Sequence, residues 1–136
     1  MTSEVINETP LTIVTADDSL IIRTVIAIAI DNDPRFHLLG NFSNGLELIQ
    51  AVEMMQYPPD ICLLDIIMPI CNGVETAKLL QANYSSIALF AYTSLSIDPK
   101  VDQMYHYGIE EVFYKQGLPL NRIMDKIYEK YMLTDK

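Results

Sequence analysis

Cysteine is scarce in this chain. Its 136 residues hold two, Cys62 and Cys71, too few for a disulfide-stapled scaffold. Basic side chains are also few: nine Lys and Arg stand against eighteen Asp and Glu, a formal net charge of −9. Such a surface repels phosphate, so non-specific nucleic-acid binding by the domain itself is not expected. No apolar run reaches the roughly 18 residues that span a bilayer. The longest candidates are broken by Asp, Arg or Pro. The opening stretch, MTSEVINETPLTIV, lacks the basic and then apolar pattern of a secretory signal. Repeats, low-complexity tracts and linkers are likewise missing. Half of the residues are hydrophobic, enough for one core, and the length suits one domain. The expectation is a soluble cytoplasmic domain without membrane contact. Residues 1–10 read as an N-terminal tail, 11–133 as the domain and 134–136 as a C-terminal tail.

The acid is unevenly placed. Residues 1–75 carry eleven acids and only Arg23 and Arg35 as bases, whereas residues 76–136 carry seven of each. The excess negative charge sits entirely in the first half.

Short apolar runs alternate with helical periodicities. Residues 11–16 read as a buried strand. Ile22, Val25, Ile26, Ala29 and Ile30 then follow the spacing of one helix face, with Ser19 as N-cap and Asp33-Pro34 as the stop. Residues 37–42 form a second strand, and Ser43-Asn44-Gly45 turns into a helix with Leu46, Leu48, Ile49, Val52 and Met55. Residues 60–65 are apolar between two terminal acids, the pattern of a strand covered on both faces. A helix near 74–82 and a strand at 87–92 follow. Pro99 opens another helix that Gly108 closes. Residues 112–114 form a short fifth strand. A last helix shows Leu120, Ile123, Met124, Ile127, Tyr128 and Tyr131 on one face. Five strands alternating with five helices predict an α/β fold: an open five-stranded parallel sheet with helices on both faces.

In such folds ligands gather beyond the carboxyl ends of the strands. Asp17-Asp18 follows the first strand, Asp65 the third, Thr93-Ser94 the fourth and Lys115 the fifth. Two carboxylates ~4 Å apart repel by roughly 4 kcal/mol at an effective dielectric near 20. Either protons or a cation must relieve that. The available ligands are hard oxygens, which favour Mg²⁺ (or Mn²⁺) over zinc. Asp60, by contrast, opens its strand and belongs to the opposite edge.

These residues in this order resemble a bacterial response-regulator receiver domain of two-component signalling. The paired acids Asp17 and Asp18, the run Asp65-Ile66-Ile67-Met68-Pro69 with Asn72-Gly73, Thr93 and Lys115 all match that family's pattern, over residues 11–133. Asp33-Pro34-Arg35-Phe36, Gly40 and Ser43-Asn44-Gly45 also resemble the receivers that carry a C-terminal helix-turn-helix. The resemblance implies a flavodoxin-like strand order, 2-1-3-4-5. It implies that Asp65 accepts a phosphoryl group from a sensor histidine kinase or phosphotransfer protein. Asp18, Asp17, Asp65 and the backbone carbonyl of Ile67 would hold the metal. Thr93 and Lys115 would bind the phosphoryl oxygens. Met68-Pro69 would turn the chain sharply, with Gly73 relieving the crowded loop. A phosphorylation-dependent homodimer through Tyr105, Tyr114, Arg122, Lys126 and Lys130 is a further implication. One departure stands out: Val112 occupies the place where receivers usually carry an aromatic side chain. Gln116-Gly117-Leu118-Pro119 also separates the lysine from its usual proline.

Two other classes fit less well. A phosphohydrolase with an aspartyl nucleophile needs a second acid two residues on, where this chain has Ile67. A small-molecule-binding module needs a hydroxyl- or glycine-rich loop after the first strand, where this chain has two acids. The domain is therefore expected to act as a switch rather than a turnover enzyme. Ile67 and Leu95, both aliphatic, would flank the approach of water to a phosphorylated Asp65 and slow its hydrolysis.

Overall fold

The computed structural model describes residues 9–94 and 99–134. Among these residues five strands and five helices alternate: β1 (Leu11–Ala16), α1 (Leu20–Asp31), β2 (Phe36–Phe42), α2 (Gly45–Glu53), β3 (Ile61–Leu64), α3 (Gly73–Asn83), β4 (Ala88–Thr93), α4 (Pro99–His106), β5 (Ile109–Tyr114) and α5 (Leu120–Thr134). The strands form one sheet in the order β2-β1-β3-β4-β5, and every pairing is parallel. Both the predicted fold class and the implied order hold.

Side-chain alternation along the strands divides the core in two. On one face Val14, Cys62, Leu64, Leu89, Ala91 and Val112 pack with Leu48, Val52, Ala77, Leu80 and Met104 of α2, α3 and α4. On the other, Ile13, Ile61, Leu63, Phe90, Tyr92 and Phe113 pack with Ile26, Ile30, Ile123, Met124 and Ile127 of α1 and α5. All four residues of β3 are buried, which is why that strand reads as an unbroken apolar run.

The helix caps follow local chemistry. Ser19 Oγ accepts from Ile22 N and starts α1. Asn44 Oδ1 accepts from Glu47 N and starts α2. At α3 Asn72 and Glu75 satisfy each other's backbone N–H in a capping box. Gly108, at φ +91°, ends the α4 segment in a conformation that side chains resist.

Several boundaries and faces differ from the sequence expectation. β5 begins at Ile109, three residues before the expected 112, because Glu110 and Glu111 lie on an edge strand where polar side chains reach water. Val25 is 44% exposed rather than buried. Helix α1 turns Ile26 and Ile30 to the core, and five apolar positions are more than that contact can cover. Leu46 is also exposed at the start of α2. That helix ends at Glu53, so Met55 lies beyond it. The last helix runs through Thr134, one residue into the expected tail.

Candidate functional site

Backbone hydrogen bonds continue the parallel ladder one residue past the strand ends. Asp17 N donates to Phe42 O, Asp65 N to Ala16 O and Lys115 N to Thr93 O, at 3.0, 2.9 and 2.9 Å. The residues that follow β1, β3 and β5 are thus held as firmly as the strands. By alternation Asp17, Asp65 and Lys115 continue the face of Ile13, Leu63 and Phe113. Thr93 follows Leu89 and Ala91 and belongs to the other face.

The outcome is a compact acid cluster. Asp17, Asp18 and Asp65 each offer a carboxylate oxygen within 4.8 Å of the others. Asp17 and Asp65 are buried, Asp65 with 6% exposure, while Asp18 is exposed. Lys115 Nζ lies 2.7 Å from Asp17 Oδ2 and 3.3 Å from Asp65 Oδ2. The contact to Asp65 is a hydrogen bond. The contact to Asp17 is close enough for an ion pair, yet among the described residues nothing donates a hydrogen bond of good geometry to the wholly buried Oδ2. Asp17 Oδ1 takes the N–H of Ser19 at 3.0 Å. Lys115 pairs with two of the three clustered carboxylates, so negative charge is left over.

The ionisation of the cluster reflects this. Burial and the neighbouring Asp17 carboxylate push the Asp65 carboxyl above its ordinary value, and Lys115 only partly offsets them. Burial works to lower the Lys115 ammonium, but Asp17 and Asp65 together hold it above the usual lysine value. A buried carboxylate oxygen held by an ion pair but by no hydrogen bond from a described residue, within a cluster of hard oxygens, is a fitting seat for a small divalent cation. The donor set contains neither His nor Cys, so it suits Mg²⁺ or Mn²⁺ rather than zinc.

The loop after Asp65 is tightly built. Gly73 N donates to Ile66 O at 2.8 Å, and a Cβ on Gly73 would stand 2.4 Å from the Asp65 carbonyl oxygen. The expected need for glycine there is met. Within the loop Cys71 N donates to Pro69 O at 2.6 Å across Ile70, whose φ is +70°. This three-residue γ-turn is strained for any side chain, and more so for a β-branched one. Ile70 is 75% exposed and Ile67 46%, so both present apolar surface beside the acids.

Of the expected residues, the structure brings Asp17, Asp18, Asp65 and Lys115 together. Thr93 is fully buried and joins the site through the backbone of Lys115. Leu95 lies outside the described residues. Val112 packs on the α2–α4 side and Phe113 on the α1–α5 side. The β5 side chains are therefore disposed as alternation predicted. Sequence reasoning missed Arg23, whose Nη1 donates to the Asp17 carbonyl at 2.9 Å and pins the turn between the two acids. No sequence signal marked it, because the contact depends on the guanidinium folding back onto a backbone carbonyl. The strain at Ile70 was also missed, although the preceding Pro69 marks a turn. Of the surface basic series, Arg122 lies 3.9 Å from Asp125 and Lys130 3.9 Å from Glu111.

Comparison with known proteins gives the family. The response regulator receiver domain family matches residues 13–128. A protein-glutamate methylesterase/protein-glutamine glutaminase of Clostridium acetobutylicum is 30% identical over 84 residues, covering 62% of this chain and 24% of that protein. The transcriptional regulatory protein DegU of Brevibacillus brevis is 32% identical over 85 residues, covering 62% of this chain and 35% of that protein. The chain thus spans about a quarter to a third of these relatives. A DNA-binding response regulator of the LuxR family from Staphylococcus aureus superimposes with a TM-score of 0.80 at 19% identity, over 88% of this chain and 97% of that one. That likeness is one of fold. A parallel sheet in the order 2-1-3-4-5, an acid cluster at its carboxyl edge and a family match over most of the length agree: the chain belongs to the response regulator receiver domain family.

Proposed function

We propose that Asp65 is the phosphoacceptor of a two-component signalling switch. The observation that carries this reading is the placement of Asp65: buried at the end of the central strand, 3.3 Å from the Lys115 ammonium and within 4.8 Å of two more carboxylates. A phosphohistidine of a sensor histidine kinase or phosphotransfer protein is the donor. A carboxylate oxygen of Asp65 attacks phosphorus, the phosphorus–nitrogen bond breaks, and its electron pair stays on the imidazole nitrogen. Such transfer needs positioning and charge neutralisation more than covalent help from the protein.

Lys115 supplies one positive charge from this chain, already beside Asp65 before the donor arrives. Asp17, Asp18 and Asp65, with the backbone carbonyl of Ile67, would hold Mg²⁺ or Mn²⁺. The bound ion would supply charge neutralisation at the phosphoryl oxygens. Thr93 is assigned to the phosphoryl oxygens from the end of β4. Ile67 stands in the loop after Asp65 with a side chain that cannot orient a water, and Leu95, two residues after Thr93 in the sequence, is likewise an aliphatic without a hydrogen-bonding group, so a long-lived phosphorylated state is expected. The domain acts as a switch in the cytoplasm rather than as a turnover enzyme. A phosphorylation-dependent homodimer would use the α4–β5–α5 side, where Tyr105, Tyr114, Arg122, Lys126 and Lys130 lie. The relatives that this chain matches over part of their length carry quite different names, a protein-glutamate methylesterase/protein-glutamine glutaminase and a transcriptional regulatory protein. The output served by this domain is therefore not a property of the receiver itself.

Incubation with acetyl phosphate and Mg²⁺, followed by intact mass and Phos-tag mobility, tests the assignment. One phosphoryl group is expected on the wild type and none on Asp65→Asn, since an amide is not a competent nucleophile. Phosphorylation of Asp65→Asn at the wild-type level would overturn it.

A further inference from the structure

The alternation that places Asp17, Asp65 and Lys115 on one face of the sheet places Tyr92 there too. Tyr92 precedes Thr93 on β4 and is 7% exposed. It pairs in register with Phe113, two residues before Lys115. The Lys115 ammonium lies 5.7 Å from the centre of the Tyr92 ring, within the range of a cation–π contact. The ring cannot drift, because it belongs to the packed core shared with Phe90, Phe113 and Ile123. Phe90 and Phe113 stack beside it with centroids 6.2 Å apart.

Lys115 has two kinds of neighbour. The Asp17 and Asp65 carboxylates lie 2.7 and 3.3 Å away, and both would change during the proposed reaction. A cation would compete with Lys115 for Asp17, and phosphorylation would turn the Asp65 carboxylate into an acyl phosphate, with the negative charge moved to the phosphoryl oxygens. The ring of Tyr92 changes in neither event. Burial pushes the Tyr92 phenol above its ordinary value, with Lys115 opposing and Asp17 adding to the rise. The phenol is therefore neutral near pH 7, and the attraction comes from the ring face.

We propose that Tyr92 is a positioning residue: its ring is the fixed wall that keeps the Lys115 ammonium aimed into the site while its carboxylate partners are being exchanged. This rests on the reading of Asp65 as phosphoacceptor. The residue type matters because an aliphatic side chain of similar size fills the core but gives the ammonium no attraction. Phenylalanine keeps the face and loses only the hydroxyl.

The test is a double-mutant cycle read by the affinity for beryllium fluoride, a phosphoryl mimic, in saturating Mg²⁺ by calorimetry. Tyr92→Leu should weaken binding about three- to tenfold, the range of one partly desolvated cation–π contact. Tyr92→Phe should stay within about twofold of wild type. In a Lys115→Ala background, Tyr92→Leu should cause no further loss, because the ammonium it serves is gone. Tyr92→Met provides the same comparison should the leucine variant fold poorly, since methionine adapts to irregular space. Three results would overturn the proposal: an equal loss with and without Lys115, a Phe variant as weak as the Leu variant, or a Lys115→Ala protein with full affinity. Each of these leaves the assignment of Asp65 standing. A wild type that takes up no beryllium fluoride would overturn that assignment, and this proposal with it.

Discussion

At the amino edge of the sheet Asp60 accepts from Thr12 N at 2.9 Å, from Thr12 Oγ1 at 3.2 Å and from Tyr131 Oη at 3.4 Å. Nearby, Arg35 holds Asp33 with two donors and Asp125 with a third, at 2.7–2.9 Å. It also lies over the rings of Phe36 and Tyr128. At the carboxyl edge three carboxylates cluster while Lys115 pairs with two of them, and among the described residues nothing donates a hydrogen bond to the buried Oδ2 of Asp17. The same residue types thus do opposite things on one scaffold. Arg35 pulls the Asp33 carboxyl below its usual range, which adds to stability. Burial and Asp17 push the Asp65 carboxyl up, which subtracts from it. The amino edge ties α5 to the sheet, whereas the carboxyl edge gathers more negative charge than Lys115 balances.

Cutting the amino edge should give the largest loss of stability. Asp60→Ala leaves the Thr12 N–H and hydroxyl without their acceptor at the junction of β1, β3 and α5. Urea unfolding should show a loss of about 1–3 kcal/mol. A change below a few tenths of a kcal/mol would mean that water replaces the carboxylate and that the edge is not a clamp.

Changes at the carboxyl edge should go the other way. Ile70→Gly removes a β-branched side chain from φ +70°. It should stabilise the fold by about 1 kcal/mol, the cost of a left-handed residue partly offset by glycine's extra freedom when unfolded. A loss of stability would show that the exposed side chain makes contacts worth more than its strain.

The smallest effect is one of pH. The folded Asp33 carboxyl titrates below its unfolded value, so its contribution is fully present above about pH 4. It disappears as pH falls through the lowered folded value. Asp33→Asn should therefore be less stable than wild type at pH 7, and the gap should close in acid. A gap unchanged at pH 3 would assign the effect to packing rather than charge.

Much of this contrast was legible in the sequence. Asp17, Asp18, Asp65 and Lys115 each follow an apolar run, so a parallel sheet had to bring them to one edge, and Asp60 to the other. The burial of β3 on both faces was written in Ile61-Cys62-Leu63-Leu64. What could not be read depends on angles and distances set by packing. The apolar spacing of α1 gave five candidates for one face, but only helix rotation against β1 decides that Ile26 is buried and Val25 is not. The acidic pair Glu110-Glu111 hid the start of β5, since edge strands tolerate charge. The role of Arg23 depends on its guanidinium folding back onto the Asp17 carbonyl, which no spacing alone specifies. The parity that joins Tyr92 to Lys115 could have been counted from the strand register, had β5 been placed from Ile109.

If the excess negative charge of the acid cluster serves to take a cation, that ion must change the stability of the fold through Asp18. Unfolding free energies of wild type and Asp18→Ala, each with and without saturating Mg²⁺, test it most directly. Without Mg²⁺, Asp18→Ala should be as stable as wild type or more so, because one repelling carboxylate is gone. With Mg²⁺, the wild type should gain about 2–3 kcal/mol at a hundredfold excess over its dissociation constant, and the variant far less. A variant that is less stable without Mg²⁺ and gains as much from it as wild type would contradict the account.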